Sequence, residues 1–255
     1  MKTINQKDKP KISVIIPTYN EESNIIKTLK AVKKQQCNFL YEIIVADGQS
    51  SDNTVSIAKK FAKVYISPQK GKTFQLNYVV PKSSGDLLLF LDADTLIDPL
   101  FLQKIYKIFT KDKNLFACSA RFKYYDGKCL SFKLGSLRFT ITSYFFHNIN
   151  MHLYYFFKNL FGYPELSGCN IIVRKDIFLK AGGFKQPPNS LGIDKVFSDS
   201  LIYLIRKMKK GKIKTLNFIS VLTSGRHLNM RRSLKRISQY HSEKDLYNEL
   251  AKKVE

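Results

Sequence analysis

The sequence contains no tryptophan, and its four cysteines are widely separated and form no CxxC pair. Zinc sites usually need closely spaced cysteines or histidines, and disulfide frameworks are typical of small secreted chains. Neither a structural zinc centre nor a disulfide scaffold is therefore expected. This cysteine pattern favours reduced thiols in a cytosolic compartment.

Long apolar runs are also missing. No uninterrupted apolar segment approaches the roughly 20 residues that a transmembrane helix requires. The chain starts with the polar sequence MKTINQKDKPK, and only a short apolar run follows before Pro17. Neither a membrane span nor a secretory signal is expected from this pattern.

Acidic residues are scarce relative to basic ones. The 255 residues include 43 Lys and Arg but only 20 Asp and Glu, which gives a formal charge of +23. A field of that sign attracts polyanions, anionic membrane surfaces and phosphorylated small molecules, and charge alone does not choose among them. Between Tyr203 and Arg236 there are eleven basic residues and no acidic one. This segment is either a binding surface or an ordinary solvated face.

Apolar strands alternate with amphipathic helices in the first half of the chain. The pattern predicts a strand at 12–16, ended by Pro17, and a second strand at 41–46 that is followed by a helix from about Asp52 to Ala62. Such alternation with short turns predicts an α/β fold with a doubly wound, mostly parallel sheet. Ligands bind beyond the carboxyl ends of the strands in these sheets. One rim would therefore carry three polar segments, which are Pro17–Glu21, Asp47–Ser51 and Asp92–Asp94.

The segment LLLFLDADT, residues 87–95, ends an apolar strand with two carboxylates one residue apart. Mg²⁺ accepts one or two carboxylates and completes its shell with water and substrate phosphates. Two carboxylates this close repel each other unless a bound cation or a basic neighbour offsets their charge. Asp92 and Asp94 are therefore candidates for a metal site that holds a diphosphate. The alternative is a solvated turn.

The second half of the chain is less regular. Residues 136–163 form an aromatic-rich stretch that is too polar to span a membrane. It is expected either to form a helical pair packed on the core or to lie at a membrane interface or over an acceptor groove. His147 and His152 are five residues apart and could both ligate a metal ion if the segment is helical. Ordinary packing is a simpler role for them than metal binding.

Four motif-like segments follow one another along the chain: SVIIPTYNEESNIIKTL, EIIVADGQSSDNTVSIA, GKTFQLNYVVPKSSGDLLLFLDADT and GCNIIVRKDIFLKAGGF. Their order and chemistry resemble the successive motifs of the family 2 glycosyltransferases, which have the GT-A fold. The resemblance covers roughly residues 11–225, and the most similar subgroup is the small polyprenol-phosphate sugar transferases. It implies a Rossmann-like, mostly parallel sheet flanked by helices.

The resemblance implies a nucleotide-sugar site on the predicted rim. A UDP- or GDP-sugar would be bound by eight residues: Pro17, Tyr19, Glu21, Asp47, Lys72, Asn77, Asp92 and Arg226. The first three would surround the base and ribose, Asp47 would bind the nucleobase, and Lys72 and Asn77 would lie near the nucleotide. Asp94 would ligate the Mg²⁺ or Mn²⁺ that bridges the diphosphate. Asp92 would contact the ribose or a metal-bound water and belongs to the same metal site.

The family's catalytic base usually belongs to an acidic motif at the start of a helix downstream of the Gly-Gly-Phe segment. That region here has the sequence LGIDKVFSDSLIYLIRK, in which the motif is degenerate. Asp199 is the better match by its distance to Gly211, Asp194 is the alternative, and a third option is that neither acts as a base. Because a phosphate acceptor is already an anion at neutral pH, the degeneracy favours a lipid-phosphate acceptor.

A flexible basic segment often covers the diphosphate in this family, and Arg226, His227 and Arg231 lie where it would begin. An ordinary loop role is the alternative for His227. The expected organisation is a flexible N-terminus and a glycosyltransferase domain, followed by a basic amphipathic extension that is helical from about Met230. The boundaries are 1–10 for the N-terminus, 11–112 and 113–225 for the nucleotide-binding and acceptor halves of the domain, and 226–255 for the extension.

The expected function is inverting, metal-assisted transfer of a sugar to a lipid phosphate or a membrane-linked glycan. Segments 203–236 and 136–163 would dock the protein on the cytoplasmic face of an anionic membrane. Two alternatives are weaker. A nucleotidyltransferase would carry a glycine-rich loop after the first strand, which PTYNEE lacks. A nucleic-acid-binding protein would account for the charge but not for the acidic rim, and no nucleic-acid-binding motif is recognisable.

Overall fold

The computed structural model describes residues 11–126, 129–134, 137–142, 144–160, 164–187 and 192–226. The predicted N-terminal segment 1–10 lies outside the described residues. So does the predicted extension from residue 227 onward, which includes His227 and Arg231.

The first half of the chain alternates strands and helices, as predicted. Its elements are β1 (Ile12–Thr18), α1 (Ile25–Lys33), β2 (Tyr41–Asp47), α2 (Thr54–Lys59), β3 (Lys63–Ile66), α3 (Lys72–Val79), β4 (Leu87–Leu91), β5 (Thr95–Leu96) and α4 (Phe101–Lys111). β1 and β4 are buried along their whole length, which explains their continuous apolar sequences. α4 buries Phe101, Ile105 and Phe109, spaced four residues apart along one helix face.

The second half adds strands to the same sheet and places a hairpin and a helix beside it. Its elements are β6 (Leu115–Tyr124), β7 (Cys129–Leu134), β8 (Leu137–Thr142), α5 (Phe145–Leu160), β9 (Asn170–Arg174), α6 (Lys175–Lys180), α7 (Ile193–Met208) and β10 (Lys212–Thr223). None of the helices in the described ranges combines the length and the apolar character that crossing a bilayer requires.

The main sheet has the strand order β3-β2-β1-β4-β9-β6-β10-β5. β1 is parallel to β2 and β4, and β6 is parallel to β10, so the sheet is mostly parallel, as predicted. β9 is antiparallel to both β4 and β6. Because of this, β4 and β6 run in the same direction, and their carboxyl ends lie on one rim with those of β1 and β2.

Two apolar layers cover the sheet. One is packed with α1 and α4 and includes Leu29 and Phe101, and the other is packed with α3, α6 and α7. In the second layer Phe184 and Phe197 stack with ring centroids 4.7 Å apart. The polar ends of the strands extend beyond these layers and form the rim.

Pro17 does not end β1, contrary to the prediction. It lies inside the strand and pairs with Ala46 of β2. The pairing of β1 with β4 stops at Ile15, so the strand has a neighbour on one side only where Pro17 lies. Proline is tolerated at such edge-like positions because a missing N–H there breaks no ladder bond on the open side.

The expected helical pair over residues 136–163 is also wrong. β7 and β8 form an antiparallel hairpin, and only α5 is helical. The sequences CLSFKL and LRFTIT explain the difference, because aromatic and β-branched residues that alternate with polar ones favour strands over helices.

Candidate active site

The turn after β2 is fixed by the carboxylate of Asp47, which is fully buried. Its Oδ1 accepts hydrogen bonds from Thr18 Oγ1 at 3.0 Å and from Ser50 Oγ at 2.6 Å. Its Oδ2 accepts one from the Ser50 amide at 2.8 Å. Asp47 therefore lies on the predicted rim but shapes the turn from within, and both of its oxygens have protein partners.

Gln75 of α3 joins the ends of β1 and β2 and was missed in the sequence. Its Nε2 donates to the carbonyls of Thr18 at 2.6 Å and Ala46 at 2.9 Å. A Cβ on Gly48 would lie 2.6 Å from that nitrogen, so glycine is needed to make room for it. No local sequence pattern indicates this role of Gln75, because its partners lie 29 and 57 residues away.

Tyr19, just beyond β1, presents an aromatic surface at the rim. Its side chain is half-exposed, and Lys70 Nζ lies 5.1 Å from its ring centroid. An exposed ring next to a cation is suited to stacking a flat base whose phosphates carry negative charge. Pro17 precedes it inside β1.

Asp92 follows β4 and forms an ion pair with Lys72, the first residue of α3. Lys72 Nζ lies 2.5 Å from Asp92 Oδ1 and donates a second hydrogen bond to the Gly168 carbonyl at 3.1 Å. Burial lowers the pKa of Lys72, but the carboxylates of Asp92 and Asp194 outweigh it and hold that pKa above its ordinary value. Lys72 therefore stays charged beside Asp92.

Asp94 has a different cation. Arg226 lies after β10, and its guanidinium bridges two carboxylates: it contacts Glu21 directly and lies 3.4 Å from Asp94 Oδ2. Burial raises the pKa of Asp94, Asp92 and Glu21 raise it further, and Arg226 opposes them. Glu21, Asp94 and Arg226 are thus brought together from three separate parts of the chain.

The fit of a divalent cation to this rim depends on its donors. Within the described ranges, no three or more His, Cys, Asp or Glu side chains form a metal-binding group. Asp92 and Asp94 do supply hard carboxylate oxygens, and Mg²⁺ and Mn²⁺ can take their remaining ligands from water and a diphosphate. The raised pKa of Asp94 reflects negative charge and burial that a cation would offset. The residues therefore fit an ion that is held jointly with the substrate.

The two candidate bases lie on α7 in different surroundings. Asp194 is in the first turn, and its Oδ2 accepts a hydrogen bond from the Gly168 amide at 3.0 Å. Gly168 also binds Lys72, so Asp194 is linked to the Asp92 side of the rim. Asp199 instead forms an ion pair with Lys195, one turn earlier on the same helix. The geometry therefore favours Asp194 over Asp199 as the acidic residue of α7 that belongs to the site. Spacing in the sequence had favoured Asp199.

Asn77 lies away from the nucleotide rim. Its Nδ2 donates to the Phe184 carbonyl at 2.7 Å, and its Oδ1 accepts from the Phe184 amide at 3.0 Å. Both ends of the side chain amide therefore hold the loop after α6. The placement does not agree with the predicted nucleotide contact, because both polar atoms of the amide are engaged with this loop.

Gly182 and Gly183 end α6 with positive φ angles of 79° and 70°. His147 and His152 both lie on α5, five residues apart. Burial, followed by the charges of Arg121 and Lys123, lowers the pKa of His152.

A sequence model described as Glycosyl transferase family 2 matches residues 13–182. Among curated proteins, the glycosyltransferase AglE of Haloferax volcanii is 41% identical over 93 residues, which make up 33% of this chain and 31% of AglE. The dolichyl-phosphate beta-glucosyltransferase of Mus musculus is 32% identical over 99 residues, or 32% of this chain and 31% of that protein. The chain spans about a third of the length of the curated relatives it matches.

Solved structures resemble the chain over more of its length. The mannosyltransferase PcManGT from Pyrobaculum calidifontis, in complex with GDP-Man and Mn²⁺, has a TM-score of 0.63 at 19% identity and covers 91% of this chain and 61% of its own. S. aureus TarS 1–349, in complex with UDP-GlcNAc, has a TM-score of 0.61 at 19% identity and covers 88% of this chain and 60% of its own. These likenesses establish the fold, which is the GT-A fold.

Proposed function

The chain belongs to glycosyl transferase family 2, and from that membership we propose that it moves a sugar from a nucleoside-diphosphate sugar to the phosphate of a membrane lipid. One observation carries the proposal. Asp92 pairs with Lys72 and Asp94 lies beside Arg226, so acidic and basic groups from separate elements converge where three strands end. A rim of this kind suits a diphosphate and a metal ion together.

The donor would lie across the ends of β1, β2 and β4. Tyr19 stacks against the base, and Lys70 beside its ring faces the phosphates. Asp47 keeps the turn below the base in shape through its buried hydrogen bonds. GDP-Man and UDP-GlcNAc, bound by two proteins of the same fold, support a GDP- or UDP-sugar as the donor.

Asp94 and Asp92 would hold a Mg²⁺ or Mn²⁺ ion, which when bound offsets the charge that develops on the departing diphosphate. Lys72 neutralises Asp92 and keeps its own charge near the phosphates. Arg226 must move away from Asp94, at least in part, before that carboxylate can ligate an ion. Once released, its guanidinium is suited to bind the diphosphate by two parallel hydrogen bonds.

The transfer would be a single displacement with inversion. An acceptor oxygen forms a bond to the anomeric carbon as the bond from that carbon to the diphosphate oxygen breaks, and the electron pair leaves with the nucleoside diphosphate. A phosphate acceptor is already ionised near neutral pH, so no proton has to be removed. Asp194 then serves as a positioning residue that holds Gly168 and supports the charge of Lys72.

Lipid as the acceptor is supported by two observations. A matched relative is named a dolichyl-phosphate beta-glucosyltransferase. The formal charge of +23 also attracts the protein to an anionic membrane surface, where it would act as a peripheral protein on the cytoplasmic face.

A thermal-shift panel of UDP-, GDP- and CDP-sugars with and without Mn²⁺ tests the donor and the metal. One donor class is expected to raise the melting temperature by about 5 °C in the presence of Mn²⁺ and far less in its absence. Asp98→Asn is a matched control, because Asp98 pairs with Lys104 on α4 and not with the rim. If no donor gives a metal-dependent shift, the proposed function is wrong.

A further inference from the structure

An exposed apolar stripe runs along α5. Ile149, Leu153, Phe156 and Leu160 are between 42% and 65% exposed. At about 100° per residue they all fall within about a third of the helix circumference, and they extend over about 16 Å. A stripe of this width normally faces a protein core, and here it is open in the described part of the chain.

A cluster of basic side chains lies beside α5. Arg121 and Lys123 are two residues apart on β6, so their side chains project from the same face of that strand, and both influence His152 of α5 electrostatically. Among the described residues, none of the three forms an ion pair. The cluster therefore has an excess of positive charge with no carboxylate to offset it.

Arg121 has hydrogen-bonding capacity left over. Its Nη1 donates to the Asn217 carbonyl at 3.2 Å, but its Nε is buried and has no partner in the described part of the chain. A buried donor without an acceptor is costly, and the Nε edge is the one through which guanidinium groups bind phosphate oxygens in pairs. An anion bound at this edge would satisfy it.

The register of the sheet places this cluster on the active-site rim. Ser119 of β6 and Phe90 of β4 both pair with Ile171 of β9, so Arg121 and Lys123 are level with Asp92 and Asp94. Only one strand separates them, which corresponds to about 10 Å. Burial raises the pKa of Tyr124, the residue after Lys123, to about 12, and Cys169, Tyr144 and Asp94 add smaller contributions in that order.

His152 connects the cluster to the stripe. The side of α5 that packs on β6 includes Asn148, whose Oδ1 accepts from the Tyr124 amide at 3.1 Å, and Tyr155, which is buried. Helix geometry puts His152 between that side and the apolar stripe, one turn before Phe156. A polar group bound at His152 could therefore continue into a hydrocarbon chain along the stripe without a gap.

We propose that Arg121, Lys123 and His152 bind the phosphate of the acceptor lipid and that the α5 stripe carries its hydrocarbon chain. The inference rests on the proposed function and adds the location of the acceptor. The charge of the cluster complements a phosphate, and the adjoining apolar stripe selects a phosphate attached to a lipid over a free one. The register then presents the phosphate oxygen to a sugar held at Asp94.

Flotation of the full chain with three kinds of phosphatidylcholine vesicle tests this proposal. One contains a small fraction of polyprenyl phosphate, the second the same fraction of polyprenol, and the third phosphatidylglycerol at equal surface charge. Binding to the polyprenyl phosphate vesicles is expected to be about tenfold tighter than to the phosphatidylglycerol vesicles, because the cluster makes charge-assisted hydrogen bonds. Polyprenol vesicles are expected to bind more weakly than either.

Variants separate the two parts of the surface. Arg121→Gln and Lys123→Gln should each remove the preference for polyprenyl phosphate over phosphatidylglycerol. Lys123 is exposed, so its variant tests the site without disturbing folding. Leu153→Asp should weaken binding to all three vesicles. The matched controls are Lys107→Gln on α4 and Leu40→Asp at the opposite edge of the sheet, and both should bind as the wild type does.

Equal binding to the polyprenyl phosphate and phosphatidylglycerol vesicles would overturn the proposal, and so would a preference that survives in Lys123→Gln. The donor-dependent thermal shift should be unchanged in every one of these variants. A wild type with that shift but without the lipid preference would leave the donor site intact and remove only the acceptor site. A wild type without the shift would instead contradict the proposed function.

Discussion

Asp92 and Asp94 are separated by one residue, and each has its own cation. Lys72 holds Asp92 and also binds Gly168, whereas Arg226 bridges Asp94 and Glu21. The two cations come from the first and the last third of the sequence. In the proposed function, the pair would bind a metal and a diphosphate by exchanging these partners, without moving the strand that carries it.

Asp194→Asn is expected to lower kcat/KM at least about tenfold, because the change removes charge that supports Lys72. Asp199→Asn is the matched control on the same helix. Its ion pair with Lys195 is of the i,i+4 kind, so its loss should change kcat/KM less than about threefold. Initial rates at several donor concentrations measure both effects. Equal losses in the two variants would contradict the assignment of Asp194 to the site.

The pH profile separates positioning from proton transfer. With a phosphate acceptor, the rate should fall on acidification near the second ionisation of that phosphate, at about pH 6, in both the wild type and Asp194→Asn. If the rate falls on acidification in the wild type but not in Asp194→Asn, Asp194 is instead the base.

Residues of the rim were predictable where they follow a strand directly. The positions of Tyr19, Asp47, Asp92 and Asp94 follow from apolar runs that stop at polar residues. Asn77 was misplaced because its two hydrogen bonds are made to Phe184, 107 residues away. No pattern within a window of sequence contains that contact.

At the scale of elements, the strands of the first half were the most predictable part of the fold. β1, β2 and β4 have continuous apolar sequences because both faces of the sheet are covered. The helix predicted from about Asp52 to Ala62 is shorter, Thr54–Lys59, since its ends depend on turn geometry. The hairpin of β7 and β8 was missed although its alternating sequences favour strands, because the aromatic-rich stretch around it was interpreted as a helical pair.

The end of α6 offers a matched pair of glycine substitutions. Gly182→Ala should cost about 1–2 kcal/mol of unfolding free energy, from its positive φ alone, because nothing lies within 4 Å of a Cβ there. Gly183→Ala should cost more, by about 1–3 kcal/mol, because its Cβ would lie 2.8 Å from Asn77 Oδ1 and disturb the hydrogen bonds to Phe184. Urea unfolding measures both. Equal costs would mean that Asn77 does not hold this loop.

Glu42 of β2 joins three parts of the first half of the chain. Its carboxylate accepts hydrogen bonds from Ser13 Oγ at 2.7 Å, the Ser84 amide at 2.5 Å and Lys63 Nζ at 3.3 Å. Burial alone would raise the pKa of Glu42, but these bonds outweigh it and hold the pKa below its ordinary value of 4.5. The resulting stabilisation is present above the unfolded-state pKa and is lost as the pH falls through the lower folded-state value.

Glu42→Gln should therefore lower the unfolding free energy by about 1–3 kcal/mol near neutral pH, and the difference should shrink as the pH falls below about 4.5. Urea unfolding of the wild type and the variant across this range measures the change. A difference that stays constant with pH would show that the carboxylate charge contributes nothing.

At the scale of the whole molecule, the sheet brings distant segments to one rim. β1, β2, β4 and β6 all end there, and Arg226 is added after β10, so the proposed donor and acceptor groups lie on the same rim, with only β9 between β4 and β6. The parallel arrangement was predictable from the alternation of strands and helices. The position of β9 between β4 and β6 was not predictable, because strand order depends on contacts between residues far apart in the sequence. That order is what aligns Arg121 and Lys123 with the two aspartates.

Metal-dependent release of nucleoside diphosphate, measured for the wild type and Asp94→Asn, tests the central claim most directly. The assay uses the sugar nucleotide that gives the largest thermal shift, with Mn²⁺ or a chelator, and Asp98→Asn as the control. The wild type and the control should need Mn²⁺, and Asp94→Asn should be slower by at least about a hundredfold. Full activity in Asp94→Asn, or wild-type turnover that is unchanged by the chelator, would contradict the account.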